Sequence, residues 1–258
     1  MVIMGLIYSN ANDVRAWVGR GTERHLSAFQ DIAVADWSEV VQQMRTTSEQ
    51  GFSREQGFSL VEHLFESISL ILSLEYWSRL WIIQEYVLGR CVTVQCGPEV
   101  LSGITLGHLA DAVGGLSGRF ESQTSRLFDS TGLSILHLRV FHDCGDNLTF
   151  TPGDYLCVLI IRAYQAGARC SDPHDHVYAL LSLHGVARSE IVPDYRKHLL
   201  QLFLDVLSFL DRESEVDFKT ITIMTRALTM LQERLRLNDC AEASQARLKL
   251  IYRLGSIR

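Results

Sequence analysis

The sequence predicts an α/β fold that is predominantly helical, and three observations support this expectation. Only four prolines occur in 258 residues, so few positions interrupt a helix. Apolar residues recur at helical spacing through most of the chain. Two short segments, at 13–19 and 91–96, instead show the alternation or the β-branched composition of strands. Because 47% of the residues are hydrophobic, a chain of this length can bury a substantial core.

The same patterns divide the chain into elements. Glycine and proline end the two strands, since both residues interrupt regular backbone pairing. A polar, glycine-containing stretch is typical of an exposed loop. In chain order, these patterns predict the end of a helix at 4–11, a strand at 13–19, a loop at 42–58, helices at 60–74 and 75–88, a strand at 91–96, and helices at about 104–113, 123–140, 153–166, 173–184, 195–211, 221–237 and 241–254.

Charge and cysteine usage exclude several classes of protein. The balance of 30 acidic and 24 basic residues gives a net charge of −6, which argues against a nucleic-acid partner. The six cysteines show no CxxC spacing and predict no disulfide framework, so we expect a reducing, cytoplasmic compartment. The longest apolar runs, such as 156–161, are too short to span a membrane.

The predicted helix at 75–88 carries one apolar stripe that a single amide interrupts. The stripe consists of Trp77, Leu80, Trp81, Gln84 and Leu88. A buried Gln84 needs hydrogen-bond partners, because an unpaired buried amide costs about 1–3 kcal/mol. Glu75 and Arg79 have the spacing of a surface ion pair on a helix, worth about 0.3 kcal/mol. For Arg79 and Glu85, a buried network and a solvated position both remain open, and a structural role is the favoured interpretation.

The segment 171–185 is typical of a helix and its start. Asp172 is a suitable N-cap, Pro173 fits the first helical position, and Asp175 can interact with the amides of the first turn. Loss of the cap is expected to cost about 1 kcal/mol. The predicted buried face consists of Val177, Leu180 and Leu181, and Gly185 is placed to end the helix.

Possible chemical sites in the chain have simpler structural explanations. Cys170, His174 and His176 match no common zinc spacing, and the two histidines would face different sides of a helix, so we expect no zinc site there. Residues 142–144 contain His, Asp and Cys in direct succession, which rarely gives attack geometry, so a loop is favoured. The glycine-rich stretch at 114–118 follows a helix and predicts its end rather than a phosphate-binding loop. We expect no catalytic residue, metal or cofactor.

Three segments carry motifs that occur together in one family. They are IYSNANDVRAWVG at 7–19, YWSRLWIIQE at 76–85 running on to Cys96 and Gly97, and SDPHDHVYALLSL at 171–183 with PDY at 193–195. In this order and spacing they resemble the fungal heterokaryon-incompatibility (HET) domain family, over residues 1–205. The motif positions are Tyr8, Trp17, Gly19, Tyr76, Trp77, Arg79, Trp81, Gln84, Glu85, Cys96, Gly97, Asp172, Pro173, Asp175, Tyr178, Leu180, Leu181, Pro193, Asp194 and Tyr195.

The chain departs from the family pattern in two respects. The opening blocks of the family, a "LSYxWG" strand and a "WIDxxCINQxDxxER" segment, have no counterpart. His174 and His176 stand where the family has Arg and Lys, so the resemblance implies that both histidines face solvent. The resemblance therefore implies a partial HET domain at 1–205, lacking its N-terminal strands, and a helical C-terminal segment at 206–258. We expect such a chain to be unstable alone unless its start is misassigned.

The resemblance also implies a fold and a function. The fold is an α/β core similar to Toll/interleukin-receptor (TIR) domains. The function is fungal non-self recognition and programmed cell death, as a regulatory or interaction module with a protein partner, either an incompatibility factor or a second copy. A non-functional fragment is a further interpretation. The alternative is a TIR-like enzyme that cleaves NAD, with its catalytic part in the absent N-terminal blocks.

Overall fold

The computed structural model of the chain describes residues 2–37, 39–40, 42, 58–114, 131–143, 151–183, 191–214 and 217–256. Over these residues, the chain consists mainly of helices together with a small three-stranded sheet, which confirms the predominantly helical α/β class. No helix in the described ranges is long and apolar enough to cross a membrane. Almost all of the predicted loop at 42–58 and the predicted helical residues at 123–130 lie outside the described residues.

The secondary structure begins and ends with helices. In chain order the elements are α1 (Val2–Asn10), β1 (Val14–Gly19), α2 (Glu23–Val34), α3 (Phe58–Leu72), a 3-10 turn (Glu75–Ser78), α4 (Ile82–Leu88), β2 (Val92–Cys96), β3 (Glu99–Ser102), α5 (Gly103–Gly114), α6 (Thr131–Asp143), α7 (Pro152–Gln165), α8 (Asp175–Tyr178), α9 (Leu199–Glu213), α10 (Phe218–Arg234) and α11 (Ala241–Gly255).

The sheet has the order β1-β2-β3, in which β1 is parallel to β2 and β3 is antiparallel to it. The prediction that only helices follow Gly97 was wrong, because β2 and β3 form a hairpin. Gly97 adopts a φ of 55° at the hairpin turn, and a Cβ there would lie 2.8 Å from the Arg20 carbonyl oxygen. Glycine allows this left-handed turn, and the four-residue strand that it creates is too short to produce a periodic signal.

The two faces of the sheet differ in burial. On one face, side chains of all three strands pack into the core, namely Val14, Ala16, Val92, Val94 and Leu101. On the opposite face, Trp17 is paired in register with Gln95, which in turn is paired with Val100. Trp17 is 50% exposed and Val100 is 48% exposed. The alternation of the strands therefore buries one face of the sheet and leaves the motif residue Trp17 on the other.

Local side-chain caps explain where the C-terminal helices begin. Thr151 accepts a hydrogen bond from the Asp154 amide, and Pro152 occupies the first turn of α7. Asp217 accepts one from the Thr220 amide at the start of α10. Such caps satisfy amides that have no partner within the helix. Helix α7 then packs against α6, α9 and α10, and together these helices form the C-terminal part of the core.

The predicted helix at 75–88 is interrupted. A 3-10 turn at Glu75–Ser78 is followed by a bridge between Arg79 and Arg169, and helix α4 begins only at Ile82. The Arg169 amide donates to the Ser78 carbonyl, and the Leu80 amide donates to the Arg169 carbonyl. These tertiary hydrogen bonds replace helical ones at residues 78–80, so the Glu75–Arg79 pair loses its helical spacing. Trp77 and Leu80 are fully buried as predicted, whereas Trp81 is only half-buried.

The predicted helix at 173–184 is also shorter than expected. Helix α8 covers Asp175–Tyr178, with hydrogen-bonded turns before and after it. The predicted N-cap at Asp172 and first helical position at Pro173 were wrong, because His174 is the N-cap and the helix begins at Asp175. The Asp172 carboxylate instead accepts a hydrogen bond from the His174 amide in a turn before the helix. The predicted buried face at Val177, Leu180 and Leu181 is confirmed, and Gly185 lies outside the described residues. Helix α9 begins at Leu199 rather than 195, with His198 as its N-cap.

A close approach of α1 to the turn after α8 gives a test of this packing. A Cβ added at Gly5 would lie 2.3 Å from Cβ of Ser182, and neither atom can move by rotation of its own side chain. We expect Gly5→Ala to lower the free energy of unfolding by about 1–3 kcal/mol, as overpacking does. The control is Gly107→Ala in α5, where the added Cβ meets no atom within 4 Å. For Gly107→Ala we expect no decrease in the free energy of unfolding, because alanine stabilises a helix by about 1 kcal/mol relative to glycine. Equal denaturation midpoints for both variants would contradict the close contact.

Candidate functional site

Residues of the recognised motifs meet where α1, α4 and α8 come together. Helix α1 packs against α4, and Gly5 brings it against Ser182 beyond α8. The bridge at Arg79 and Arg169 fixes the segment that leads into α4. Segments more than 90 residues apart in the chain thus form one polar junction.

The centre of this junction is the Asp175 carboxylate. Trp81 Nε1 donates to its Oδ2 at 3.0 Å, and the Tyr195 hydroxyl donates to its Oδ1 at 2.6 Å. Asp175 is only 7% exposed. Burial and the bond to this carboxylate raise the pKa of Tyr195. The expectation that Asp175 serves the first-turn amides was wrong, because its two oxygens join the second motif to the third.

Gln84 links the same two segments by a buried bond. Its Nε2 donates to the Ala179 carbonyl at 2.8 Å, and its side chain is fully buried. This is the hydrogen-bonding role that burial of an amide requires. Its Oε1 has no partner among the described residues. Gln84 therefore holds α4 against the end of α8 and is out of reach of a ligand.

Tyr178 fixes the PDY segment. Its hydroxyl donates to the Asp194 carbonyl at 3.0 Å and accepts from the Asp194 amide at 3.1 Å. The Asp194 carboxylate accepts from the Arg196 amide, and this bond lowers the pKa of the carboxyl group. Pro193 is half-buried beside these residues. One tyrosine hydroxyl thus satisfies two backbone groups of a segment that has no regular structure.

His174 is buried, which corrects the prediction of a solvent-facing position. Its Nδ1 lies 2.6 Å from Asp172 Oδ1, and its Nε2 lies 2.7 Å from the Lys197 carbonyl oxygen. Its ring stacks on Tyr178, with centroids 5.7 Å apart and planes at 25°. Burial alone would lower the pKa of His174, but the bonds to the Lys197 carbonyl and to Asp172 outweigh burial and raise it.

His176 is half-buried on a different side of α8, which again corrects the solvent-facing prediction. Its Nε2 lies 3.3 Å from Cys170 Sγ. Burial, followed by the nearby Arg234, lowers the pKa of His176 to about 4. Burial, followed by Asp175, raises the pKa of Cys170 to about 11. A neutral thiol beside a neutral imidazole is a weak nucleophile. In the described part of the chain, no three His, Cys, Asp or Glu residues lie close enough to hold a metal ion.

A second polar cluster lies around Glu85. The Tyr76 hydroxyl donates to Glu85 Oε1 at 2.7 Å. Burial, and then the Glu85 carboxylate, raise the pKa of both Tyr76 and Tyr8, while Arg79 acts in the opposite sense. Glu85 is half-buried and Arg79 is exposed. The sequence left open whether Arg79 and Glu85 belong to a buried network or are solvated. In the structure Glu85 belongs to a hydrogen-bonded network, whereas Arg79 is solvated. Tyr8 and Tyr76 join the first motif to the second.

The remaining predicted positions serve the fold. The Gly97 amide donates to the Gly19 carbonyl at 2.9 Å, which ties together the ends of β1 and β2. Cys96 is buried, and burial raises the pKa of its thiol. His142 lies in the last turn of α6, 3.2 Å from the Tyr155 hydroxyl, so the predicted loop was wrong at that position. Gly114 is the last residue of α5. Cys144 and residues 115–118 lie outside the described residues.

Sequence reasoning missed two residues of the junction. These residues are Lys197 and Asp205. The backbone carbonyl of Lys197 accepts a hydrogen bond from His174, and the Lys197 side-chain Nζ forms an ion pair with Asp205 of α9. Spacing gave no signal for the first contact, because a backbone carbonyl accepts regardless of the side chain it carries. An acid eight residues beyond a lysine is too common a pattern to identify the second. These contacts connect the motif region to the C-terminal helices.

Comparison with known proteins supports the interpretation of the motifs. The model of the family described as heterokaryon incompatibility protein (HET) matches residues 1–85. That range contains the first motif and YWSRLWIIQE up to Glu85, while the third motif lies beyond it. No curated protein and no solved structure matches the chain. Residues 1–85, about a third of the chain, are therefore similar to the heterokaryon incompatibility protein (HET) family.

Proposed function

We propose that the chain is a cytoplasmic regulatory or interaction module of fungal non-self recognition, and that it promotes programmed cell death when a protein partner engages it. The HET match over residues 1–85 supports this proposal. The partner is an incompatibility factor or a second copy of the chain. A net charge of −6 supports a protein partner over a nucleic acid.

The observation that carries the proposal is that the polar motif residues bind one another. Both carboxylate oxygens of Asp175 accept from protein donors, and Gln84 is fully buried. A catalytic acid or base must come within hydrogen-bond reach of its substrate. Residues committed to internal bonds cannot do so without opening the junction. The arrangement is therefore suited to transmitting a change of conformation between α4, α8 and α9.

We further propose that residues 1–205 form the HET part and residues 206–258 a helical addition. The proposed boundary falls inside α9, which packs on both α7 and α11. A relationship of the core to TIR domains is part of the same proposal. The parallel pair β1 and β2, joined through intervening helices, supports it, since such connections are typical of α/β sheets.

NAD cleavage of the TIR type is the alternative, and the environment of Glu85 favours testing it at this residue. Glu85 is a motif carboxylate that keeps partial exposure, with Tyr76 bonded to it. A half-exposed carboxylate can reach a ligand, unlike Asp175. If the chain cleaves NAD, Glu85→Gln removes that activity while retaining a hydrogen-bond acceptor for Tyr76.

The test uses the full chain fused to a drug-inducible dimerising domain and expressed in a filamentous fungus. We expect dye uptake by dying cells only after the drug is added, with no earlier fall in cellular NAD. Glu85→Gln should leave that death unchanged, as should the matched control Glu75→Gln at an exposed position. A fall in NAD that precedes death and disappears in Glu85→Gln would support the enzyme instead. Soluble chain that never causes death would contradict the regulatory proposal.

A further inference from the structure

Both ring nitrogens of His174 face atoms that can only accept a hydrogen bond. Nδ1 lies 2.6 Å from the Asp172 carboxylate, and Nε2 lies 2.7 Å from the Lys197 backbone carbonyl. A neutral imidazole has one N–H donor, so one of these contacts would place a lone pair against an oxygen. The imidazolium form donates at both positions. The geometry is therefore that of a charged ring with two acceptors.

The ring lies between α8 with its preceding turn and the segment that leads into α9. Tyr178 of α8 stacks on one side, and the Tyr195 ring lies 5.6 Å away. Asp172 precedes α8, whereas Lys197 lies two residues before the start of α9. His174 thus ties the turn before α8 to the segment 191–198. This segment has no helix or strand of its own until α9 begins at Leu199.

We propose that His174 is a protonation-controlled clamp, which holds segment 191–198 against α8 when the ring is charged and releases it when the ring is neutral. Release would also break the bonds of Tyr178 to the Asp194 backbone and of Tyr195 to Asp175. The clamp would thereby loosen the junction between the motif region and α9. This inference is independent of the proposed function.

The charged groups around the ring favour its protonated form. From its own turn it faces Asp172, from α8 it faces Asp175, and both carboxylates raise the pKa of His174. From segment 191–198 it faces the Lys197 carbonyl, while the Lys197 ammonium is paired with Asp205 of α9. Among the described residues, the rings of Tyr178 and Tyr195 also pack against His174.

The direction of the pH effect follows from the raised pKa of His174 in the folded chain. Stabilisation by the clamp is complete below about pH 6.5, the ordinary pKa of histidine. It is lost as the pH rises from there through the higher pKa of the folded state. Between those two values the constant for local opening should increase by about tenfold per pH unit, since opening releases one proton. At pH values above the folded-state pKa of His174, the equilibrium constant for local opening should no longer change with pH.

The experiment is hydrogen–deuterium exchange of a peptide spanning residues 191–198 of the full chain between pH 5 and 9, corrected for the intrinsic pH dependence of exchange. In the wild type, we expect the opening of this segment to rise with pH between about pH 6.5 and the folded-state pKa of His174, and to level off above that pKa. The His174→Gln variant should exchange faster at pH 5 and show no such rise. The control His108→Gln, at an exposed position of α5, should behave as the wild type.

A second measurement covers the case in which His174→Gln fails to fold. The His174 ring of wild-type chain with labelled histidine is titrated by NMR. A free histidine titrates with a midpoint at about pH 6.5, and we expect the midpoint of His174 to be higher. At pH values below that midpoint, both ring N–H groups should give NMR signals. A midpoint at or below 6.5, or opening of segment 191–198 that is independent of pH, would overturn the clamp.

Discussion

Replacing Trp77 by alanine is expected to lower the free energy of unfolding by about 3–5 kcal/mol, the usual range for a buried aromatic residue. Trp77 is fully buried, and its Nε1 donates to the Ile71 carbonyl at 2.9 Å. Its ring makes edge contacts with Tyr76 and Tyr86 at centroid distances of 5.1 and 5.5 Å. The truncation leaves a cavity between α3, the 3-10 turn and α4, and it also leaves the Ile71 carbonyl without its donor. Chemical denaturation followed by circular dichroism measures the change.

The matched control is Trp17→Ala, which removes the same side chain from the other motif tryptophan. Trp17 is 50% exposed, so its loss should change stability far less than that of Trp77. Surface substitutions away from specific contacts usually stay within about 0.5 kcal/mol. A larger loss at Trp17 than at Trp77 would mean that the open face of the sheet is covered in solution. Equal losses would contradict the burial difference between the two positions.

The second large effect is expected for Asp175→Asn, at about 2–3 kcal/mol of unfolding free energy. The asparagine has nearly the same shape, but its NH2 group must face one of the two donors, Trp81 Nε1 or the Tyr195 hydroxyl. One buried donor then loses its partner, and the other loses an anionic acceptor. Thermal and denaturant unfolding of the purified chain measure this loss.

Two controls separate the junction from a general effect of removing a carboxylate. Tyr195→Phe removes one of the two bonds and should cost about 1 kcal/mol. Asp239→Asn changes an exposed acid before α11 and should remain within about 0.5 kcal/mol. In a double-mutant cycle, Trp81→Phe and Asp175→Asn should show a coupling energy of about 0.5–3 kcal/mol. Additive effects would contradict a direct bond between these two residues.

The motifs predicted which residues belong to the candidate site better than they predicted what those residues do. Trp77, Gln84 and Leu180 were correctly placed in the core, because apolar spacing within a short segment reports burial directly. Asp175 was assigned to its own helix, yet its partners come from residues 81 and 195. A carboxylate that caps a helix and one that bridges two segments look the same in a sequence.

The histidines show the same limit more clearly. His174 and His176 were expected at the surface, since the family they resemble has Arg and Lys at these positions. The structure instead places His174 between Asp172 and the Lys197 carbonyl, and His176 against Cys170. A backbone carbonyl has no side-chain signature, so the partner that orients His174 could not be identified beforehand.

The sequence by itself determined the helical α/β class, the strands β1 and β2, the buried side of α4 and the HET motifs, because each depends on residues close together in the chain. The tertiary structure alone decided the break before α4, the strand β3 and the junction around Asp175. At the break, Arg169 supplies the hydrogen bonds that a helix would otherwise make. Where distant backbone and side-chain groups satisfy a polar atom, local periodicity no longer determines its conformation, and only the folded chain does.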